Sequence, residues 1–332
     1  MEKIVVTDMM RALISGRGPE WVLTEVPVPQ PGPGQVLIRN RAAATNNADL
    51  PMLAEADPTR GGHGKEFIAG FEYAGEIIAL GAGVETWKIG DSVMGSIPSS
   101  FAEYVVADHR FVLPRPTGLA PETACALPTG LLTEHGALST AGFVSGQSVL
   151  ITGASSAIGL IGAQIAKSLG ASQIIGTTRT AGKRDLLTEA GVDTVIVTDE
   201  QDLTEATLAA TGGKGVDVVL DHVAGQTFAQ CLSATAVDGH VVNIGRLAGP
   251  VSTIDIDALS YRHLTVHGVS FGFTRDVEMA GIIAGLLPEV IPAVAHDRIR
   301  PVIDRTVNIT DFAQAAGRLR SGEAVGKIVI RP

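Results

Sequence analysis

Ser148-Val149-Leu150-Ile151-Thr152-Gly153-Ala154-Ser155-Ser156-Ala157-Ile158-Gly159 is the stretch that decides the fold. A short apolar strand enters a turn of small residues. The turn opens a helix predicted over 156–169, with Ile158, Ile161, Ile165 and Leu169 at core spacing before Gly170. Such a helix start presents free N–H groups and the positive end of its dipole, and small side chains let the backbone approach a pyrophosphate. Many strand-to-helix turns contain glycine, so the context decides. Strands predicted at 173–177, 194–197, 216–221 and 240–244 alternate with helices over 181–190, 202–211 and 226–236. This βα series predicts an α/β chain with a doubly wound parallel Rossmann sheet that binds a dinucleotide.

Upstream the rhythm differs. Residues 1–115 read as strand and turn, with strands at 36–39, 74–79 and 103–107 and the heaviest Pro/Gly punctuation over 27–34. After the βα series, Thr310 reads as the N-cap of a helix ending near Gly322, and 327–330 as a last strand. We therefore expect a dinucleotide domain over 122–264 inserted in a β-rich domain built from 1–121 and 265–332, since 332 residues exceed one core.

The chain is 45% hydrophobic and 18% charged, which suits a globular protein, and its net charge of −10 argues against nucleic acid or an anionic membrane as partner. Its two cysteines, Cys125 and Cys231, form no CxxC and fit a reduced, cytoplasmic setting; no signal core precedes the first strand. The apolar run over 279–295 is interrupted by Pro288, Glu289 and Pro292 and reads as buried helix rather than membrane span.

Thr152 to Gly159 also resembles the TGxxxGxG turn of short-chain dehydrogenases. Those carry it near the N-terminus with a YxxxK downstream, and none of Tyr73, Tyr104 and Tyr261 has Lys four residues on. A second match runs along nearly the whole chain. Gly70-Phe71-Glu72-Tyr73-Ala74-Gly75 resembles the GxExAG of the medium-chain dehydrogenases/reductases. Gly81, Val84, Gly90-Asp91-Ser92-Val93 and Ser100-Phe101-Ala102-Glu103-Tyr104 follow in that family's order. Gly153 to Gly159 is similar to the AxxGxxG of its quinone oxidoreductase branch, and Gly326-Lys327-Ile328-Val329 to its terminal strand. The resemblance implies that the Rossmann sheet is inserted in a β-rich, GroES-like catalytic domain.

It also implies site residues. Asn46, in Ala44-Thr45-Asn46-Asn47-Ala48-Asp49, resembles an asparagine near the nicotinamide, with Asp49 as a second catalytic candidate; an Asx turn is the plain reading of Asn46. A tyrosine acid common two positions after that Asp is replaced by Pro51. Thr133, Val223, Gly245, Phe271 and Lys327 resemble positions that pack on the cofactor, beside Gly153, Ala154, Ser155, Ser156, Ala157, Ile158 and Gly159 of the turn. Phe271 reads equally as core and Lys327 as surface; His135 reads as structural. Zinc members of the family have Cys and His where Asn46 and Phe71 stand, and four cysteines just after the position of Val93. This chain lacks both sets, so no metal is expected. His263 and His267, in a predicted strand, lie roughly 13 Å apart and cannot share an ion.

Cofactor choice is read from the second Rossmann strand. An NAD site ends it with an acid on the ribose 2′-hydroxyl. Here Thr178, Arg179 and Lys183 follow instead, which predicts NADP(H). The implied function is zinc-free hydride transfer from NADPH to a quinone or an α,β-unsaturated carbonyl. A non-catalytic, crystallin-like NADPH-binding protein and an enoyl-thioester reductase are the alternatives. A homodimer pairing the strand near 264–270 is implied, with a small-molecule substrate and neither nucleic acid nor membrane as partner.

Overall fold

The computed structural model describes residues 8–270 and 275–332. The chain divides into two units, 1–129 with 301–332, and 130–300. The first unit opens with Met9–Ser15 (β1), Val22–Pro27 (β2), Gln35–Ala44 (β3) and helix Asp49–Ala56 (α1). Phe67–Ile68 (β4), Glu72–Leu80 (β5), Ser92–Ser96 (β6), Tyr104–Asp108 (β7) and Val112–Pro114 (β8) follow, then the short helix Pro121–Ala124 (α2). Helix Pro128–Thr140 (α3) carries the chain onward.

β3 organises this unit. One edge pairs antiparallel with β5; the other meets β7 through Gln35–Arg39 and the terminal strand through Ala43 and Ala44. In the gap between those two partners, buried Asn40 donates from Nδ2 to the carbonyls of Ser100 and Ala102, so the unpaired edge still has its bonds. Val36, Ile38, Tyr73, Ile77, Val93 and Val105 form the core beneath. A second cluster packs Trp21 edge-on against Phe312 with centroids 4.8 Å apart.

The second unit holds Ser148–Ile151 (β9), Ala157–Ser168 (α4), Gln173–Thr178 (β10), Arg184–Glu189 (α5) and Thr194–Val197 (β11). Leu203–Ala210 (α6), Val216–Asp221 (β12), Gly225–Ala234 (α7), Thr235–Asn243 (β13) and Ile256–Tyr261 (α8) come next. Thr265–Gly268 (β14) and Asp276–Ala295 (α9) complete it. Its sheet is wholly parallel in the order β11-β10-β9-β12-β13-β14, as the sequence predicted. The central strands β9, β10 and β12 are largely buried, as expected of parallel strands covered on both faces. Strand order reverses between β9 and β12, where an open α/β sheet takes its ligand. The first unit then resumes with Ile303–Asn308 (β15), Phe312–Ser321 (α10) and Lys327–Arg331 (β16).

Three expectations are corrected. The boundaries fall at 129/130 and 300/301 rather than 121/122 and 264/265, because β14 pairs with β13 and α9 packs on α4. The prolines do not break α9: it runs 20 residues, long and apolar enough by length and composition to cross a membrane. It buries Ile283, Leu286, Val290, Ile291, Ala293 and Val294 and leaves Val277 and Leu287 exposed. Thr310 is not an N-cap; it lies in a 3₁₀ turn, Ile309–Asp311, that leads into α10. The histidine reading takes a different form. His263 stands in a left-handed turn ahead of β14, while His267 Nε2 lies 3.1 Å from His240 Nδ1, so the two face different partners.

Candidate active-site residues and cofactor turn

Within the first unit, chain segments far apart in sequence converge on one buried cluster. Asn46 follows β3, Glu72 opens β5 and Lys327 opens β16. Asn46 Nδ2 donates to Glu72 Oε2 at 2.9 Å, and Asn46 Oδ1 accepts from Lys327 Nζ at 2.6 Å. Lys327 also forms an ion pair with Glu72, whose other oxygen accepts the Thr129 N–H at 2.8 Å. Lys327 is 2% exposed and Glu72 0%. The lysine is therefore not a surface charge: its ammonium stands against a buried carboxylate and the Asn46 amide oxygen. Glu72 was within a motif read from the sequence, yet its role was not legible there.

Asp49, the first residue of α1, is 3% exposed. Its Oδ2 accepts the Asn46 N–H at 2.6 Å, while Oδ1 is buried without a partner. Burial pushes this carboxyl up to about 7; the Asn46 N–H and Lys327 oppose the rise, and Glu72 adds to it. Near neutrality the group is poised to hold a proton, the property a general acid needs. The folded chain thus binds that proton more tightly than the unfolded chain does. The resulting stability is full below the ordinary value of 3.8 and is lost as pH rises through about 7. The loss is on the order of 4 kcal/mol. Asp49→Asn, which cannot ionise, should gain stability over the wild type between pH 5 and 8, read by thermal melts; equal pH slopes would count against this assignment.

In the second unit, the turn after β9 has the geometry of a phosphate cradle. Gly153 has φ +59°, and a Cβ at Gly159 would lie 2.7 Å from Ala154 Cα, so only glycine lets the turn close on α4. Ser156 caps the helix by accepting the Gly159 N–H at 3.1 Å, and its own N–H goes to Gly153 O. The N–H groups of Ala157 and Ile158 then head the helix toward a ligand. Ala154 is buried, and Ser155 Oγ accepts from Thr178 Oγ1 at 3.3 Å, tying the turn to the end of β10. A dinucleotide fits these groups.

β10 ends without an acid. Thr178 is buried, Arg179 is exposed, and Lys183 ends the turn Ala181–Lys183. Among the described residues neither cation has a carboxylate partner, whereas Arg184 pairs with Glu200.

Asp221 closes β12 and holds the opposite wall. It accepts from Thr152 Oγ1, the Val223 and Ala224 N–H groups and Asn243 Nδ2. Ala224 sits at φ +59°, ψ −150°, a strained conformation for a residue with a Cβ, and both Asp221 oxygens hold its N–H there. Val223 Cγ2 faces Gly153 of the turn, and Gly245 closes on the neighbouring His222, where a Cβ would lie 2.3 Å from the carbonyl oxygen. Thr133 is buried on α3, and His135 packs against Gly285 of α9, where burial lowers its pKa. Phe271 lies outside the described residues. Asp221, His222 and Glu134 were missed by sequence reasoning; a lone Glu in the apolar run 131–138 was the available signal.

Among the described residues, no three His, Cys, Asp or Glu side chains are grouped to hold a metal ion.

Comparison with known proteins agrees with this architecture. Residues 32–117 match the family model described as alcohol dehydrogenase GroES-like domain, and 157–283 the one described as zinc-binding dehydrogenase. Prostaglandin reductase-3 of Bos taurus is 34% identical over 251 residues, 75% of this chain; the chain spans 64% of that protein's length. L-threonine 3-dehydrogenase of Pyrococcus abyssi is 32% identical over 278 residues, 75% of this chain and 79% of that one. The structure of a mycobacterial quinone oxidoreductase superposes with a TM-score of 0.84 at 28% identity, covering 97% of this chain and 100% of the other. With both domains matched in order and relatives aligned across them, the chain belongs to the medium-chain dehydrogenase/reductase superfamily, in its quinone oxidoreductase-like branch.

Proposed function

We propose that this chain is an NADPH-dependent reductase of quinones or α,β-unsaturated carbonyls that works without zinc. The observation that carries the reading is the cluster in the first unit. Asn46, Glu72 and Lys327 satisfy one another, so these side chains are engaged with each other rather than set out as metal ligands, and beside them stands a carboxyl that holds its proton near neutrality. When bound, the nicotinamide supplies hydride, and the protein supplies orientation and a dry environment. Asp49 Oδ1, buried and unpartnered, is the proton-holding atom assigned to the substrate oxygen. A cytoplasmic setting is supported by the two free cysteines, whose burial raises both thiols well above their ordinary value.

The test is NADPH oxidation with a small quinone, an enone and an enoyl thioester, before and after exhaustive chelation. Turnover with the quinone or enone that survives chelation is expected, with no stoichiometric zinc by elemental analysis. One tightly held zinc per chain would overturn the metal-free reading. NADPH binding without any turnover would make this a binding protein.

A homodimer is part of the same proposal. β14 is the last strand of its sheet, Val266 on it is exposed, and Tyr261 and Ile256 expose apolar surface just before it. An uncovered apolar edge invites pairing with a second copy. Light scattering at micromolar concentration should give twice the chain mass, and Val266→Lys should shift it toward one. A strictly monomeric wild type would refute the pairing.

A further inference from the structure

A second buried charged pair stands in the nucleotide-binding unit, and neither the hydride reading nor the zinc question uses it. Glu134, on α3, is 0% exposed, and His222, directly after β12, is 6% exposed. His222 Nε2 lies 3.0 Å from Glu134 Oε1, an ion pair whose geometry falls short of a directed hydrogen bond. The carboxylate has room because residue 162 on α4 is glycine: a Cβ there would lie 2.3 Å from Glu134 Oε2. Both Glu134 oxygens are buried with no other partner, so removal of the imidazole would strand a charge.

The imidazole stands at the switch point. The His222 backbone N–H donates to Thr152 Oγ1 at 2.9 Å, and its Cβ is 3.8 Å from where a Cβ at Gly153 would be. Gly245, after β13, closes on the His222 carbonyl. The residue therefore stands between the ends of β9 and β13, beside the first glycine of the phosphate turn. Nε2 is directed inward at Glu134. Nδ1 makes no hydrogen bond to a described residue and is not among the fully buried polar atoms, so it is the ring's outward donor. Burial works to lower the pKa of this histidine, but the negative charges of Glu134 and Asp221 beside it outweigh burial and the net shift is upward.

We propose that His222, oriented by Glu134, is a cofactor-binding residue whose Nδ1–H donates to an oxygen of the dinucleotide's diphosphate–ribose backbone. The inference rests on the dinucleotide reading and deepens it. It assigns a contact common to NADPH and NADH, unlike the one at the end of β10.

Fluorescence titration of NADPH and NADH tests it without turnover. His222→Gln should weaken both dinucleotides alike, by about 10- to 100-fold, the range of a charge-assisted hydrogen bond. The charged groups facing the ring are Glu134 from α3 and Asp221 from its own strand. Glu134→Gln should therefore lose NADH affinity at a lower pH than the wild type does, and recover it as the solution is made more acid. NADH serves for this arm because its diphosphate does not titrate there. His222→Gln with unchanged affinity for both dinucleotides, or Glu134→Gln with the wild-type pH profile, overturns the dyad. Loss confined to NADPH overturns the placement. If His222→Gln fails to fold, the Glu134→Gln profile decides alone. A wild type that binds neither dinucleotide sinks the parent reading, and the dyad with it.

Discussion

Lys327→Met should destabilise the folded chain by about 3–5 kcal/mol, the range for removing one partner of a buried ion pair. Lys327 is 2% exposed, and its ammonium satisfies Glu72 and Asn46 together. Methionine fills similar space and removes the charge, so Glu72 is left buried with only neutral donors, Asn46 Nδ2 and the Thr129 N–H. Glu72 must then draw in water or lose its place in the core. A thermal midpoint lower by roughly 4–7 °C is expected at neutral pH. Pairing the change with Glu72→Gln should return part of the loss, since both charges are then gone. A Lys327→Met protein as stable as the wild type, or a double variant worse than the two single changes summed, would show that the pair is not coupled as described.

Arg179→Ala should weaken NADPH by about 10- to 100-fold and leave NADH nearly unchanged. Arg179 is exposed just past β10, Lys183 lies beyond it, and neither is engaged by a carboxylate among the described residues. Cations held free beside a strand end that carries no acid suit a 2′-phosphate and would gain nothing from a 2′-hydroxyl. In a chain of net charge −10 such a patch stands out. Equal loss of both cofactors, or a wild type that uses NADH as readily as NADPH, would remove Arg179 from the 2′-phosphate. Together with His222→Gln, which should weaken both dinucleotides, the two substitutions separate the phosphate-specific contact from the shared one.

Legibility from sequence followed the range of the interaction. The turn from Gly153 to Gly159, the start of α4 and the strands β11 and β12 depend on neighbours a few residues away: φ at glycine, a capping hydroxyl, period-3.6 or continuous apolar runs. These were read within a residue or two. The apolar run over 279–295 read as helix and forms α9, but local rules made Pro288 and Pro292 interruptions and the helix runs through both. Packing of Ile283, Leu286 and Val290 into the core outweighs the two backbone bonds they remove.

The sequence by itself therefore determined the doubly wound sheet, the phosphate turn, the absence of an acid after β10 and the absence of a Cys/His ligand set. Each is a matter of which residue types stand at which spacing. Only the tertiary structure decided what the charges do. Lys327 meets Asn46 across 281 positions of sequence and Glu72 across 255, and the imidazole of His222 finds Glu134 only because residue 162 leaves space for a carboxylate. The upward shift of Asp49 likewise comes from burial, which residue type does not encode. A charge in water costs little, whereas a charge removed from water is governed by whichever group the fold brings beside it.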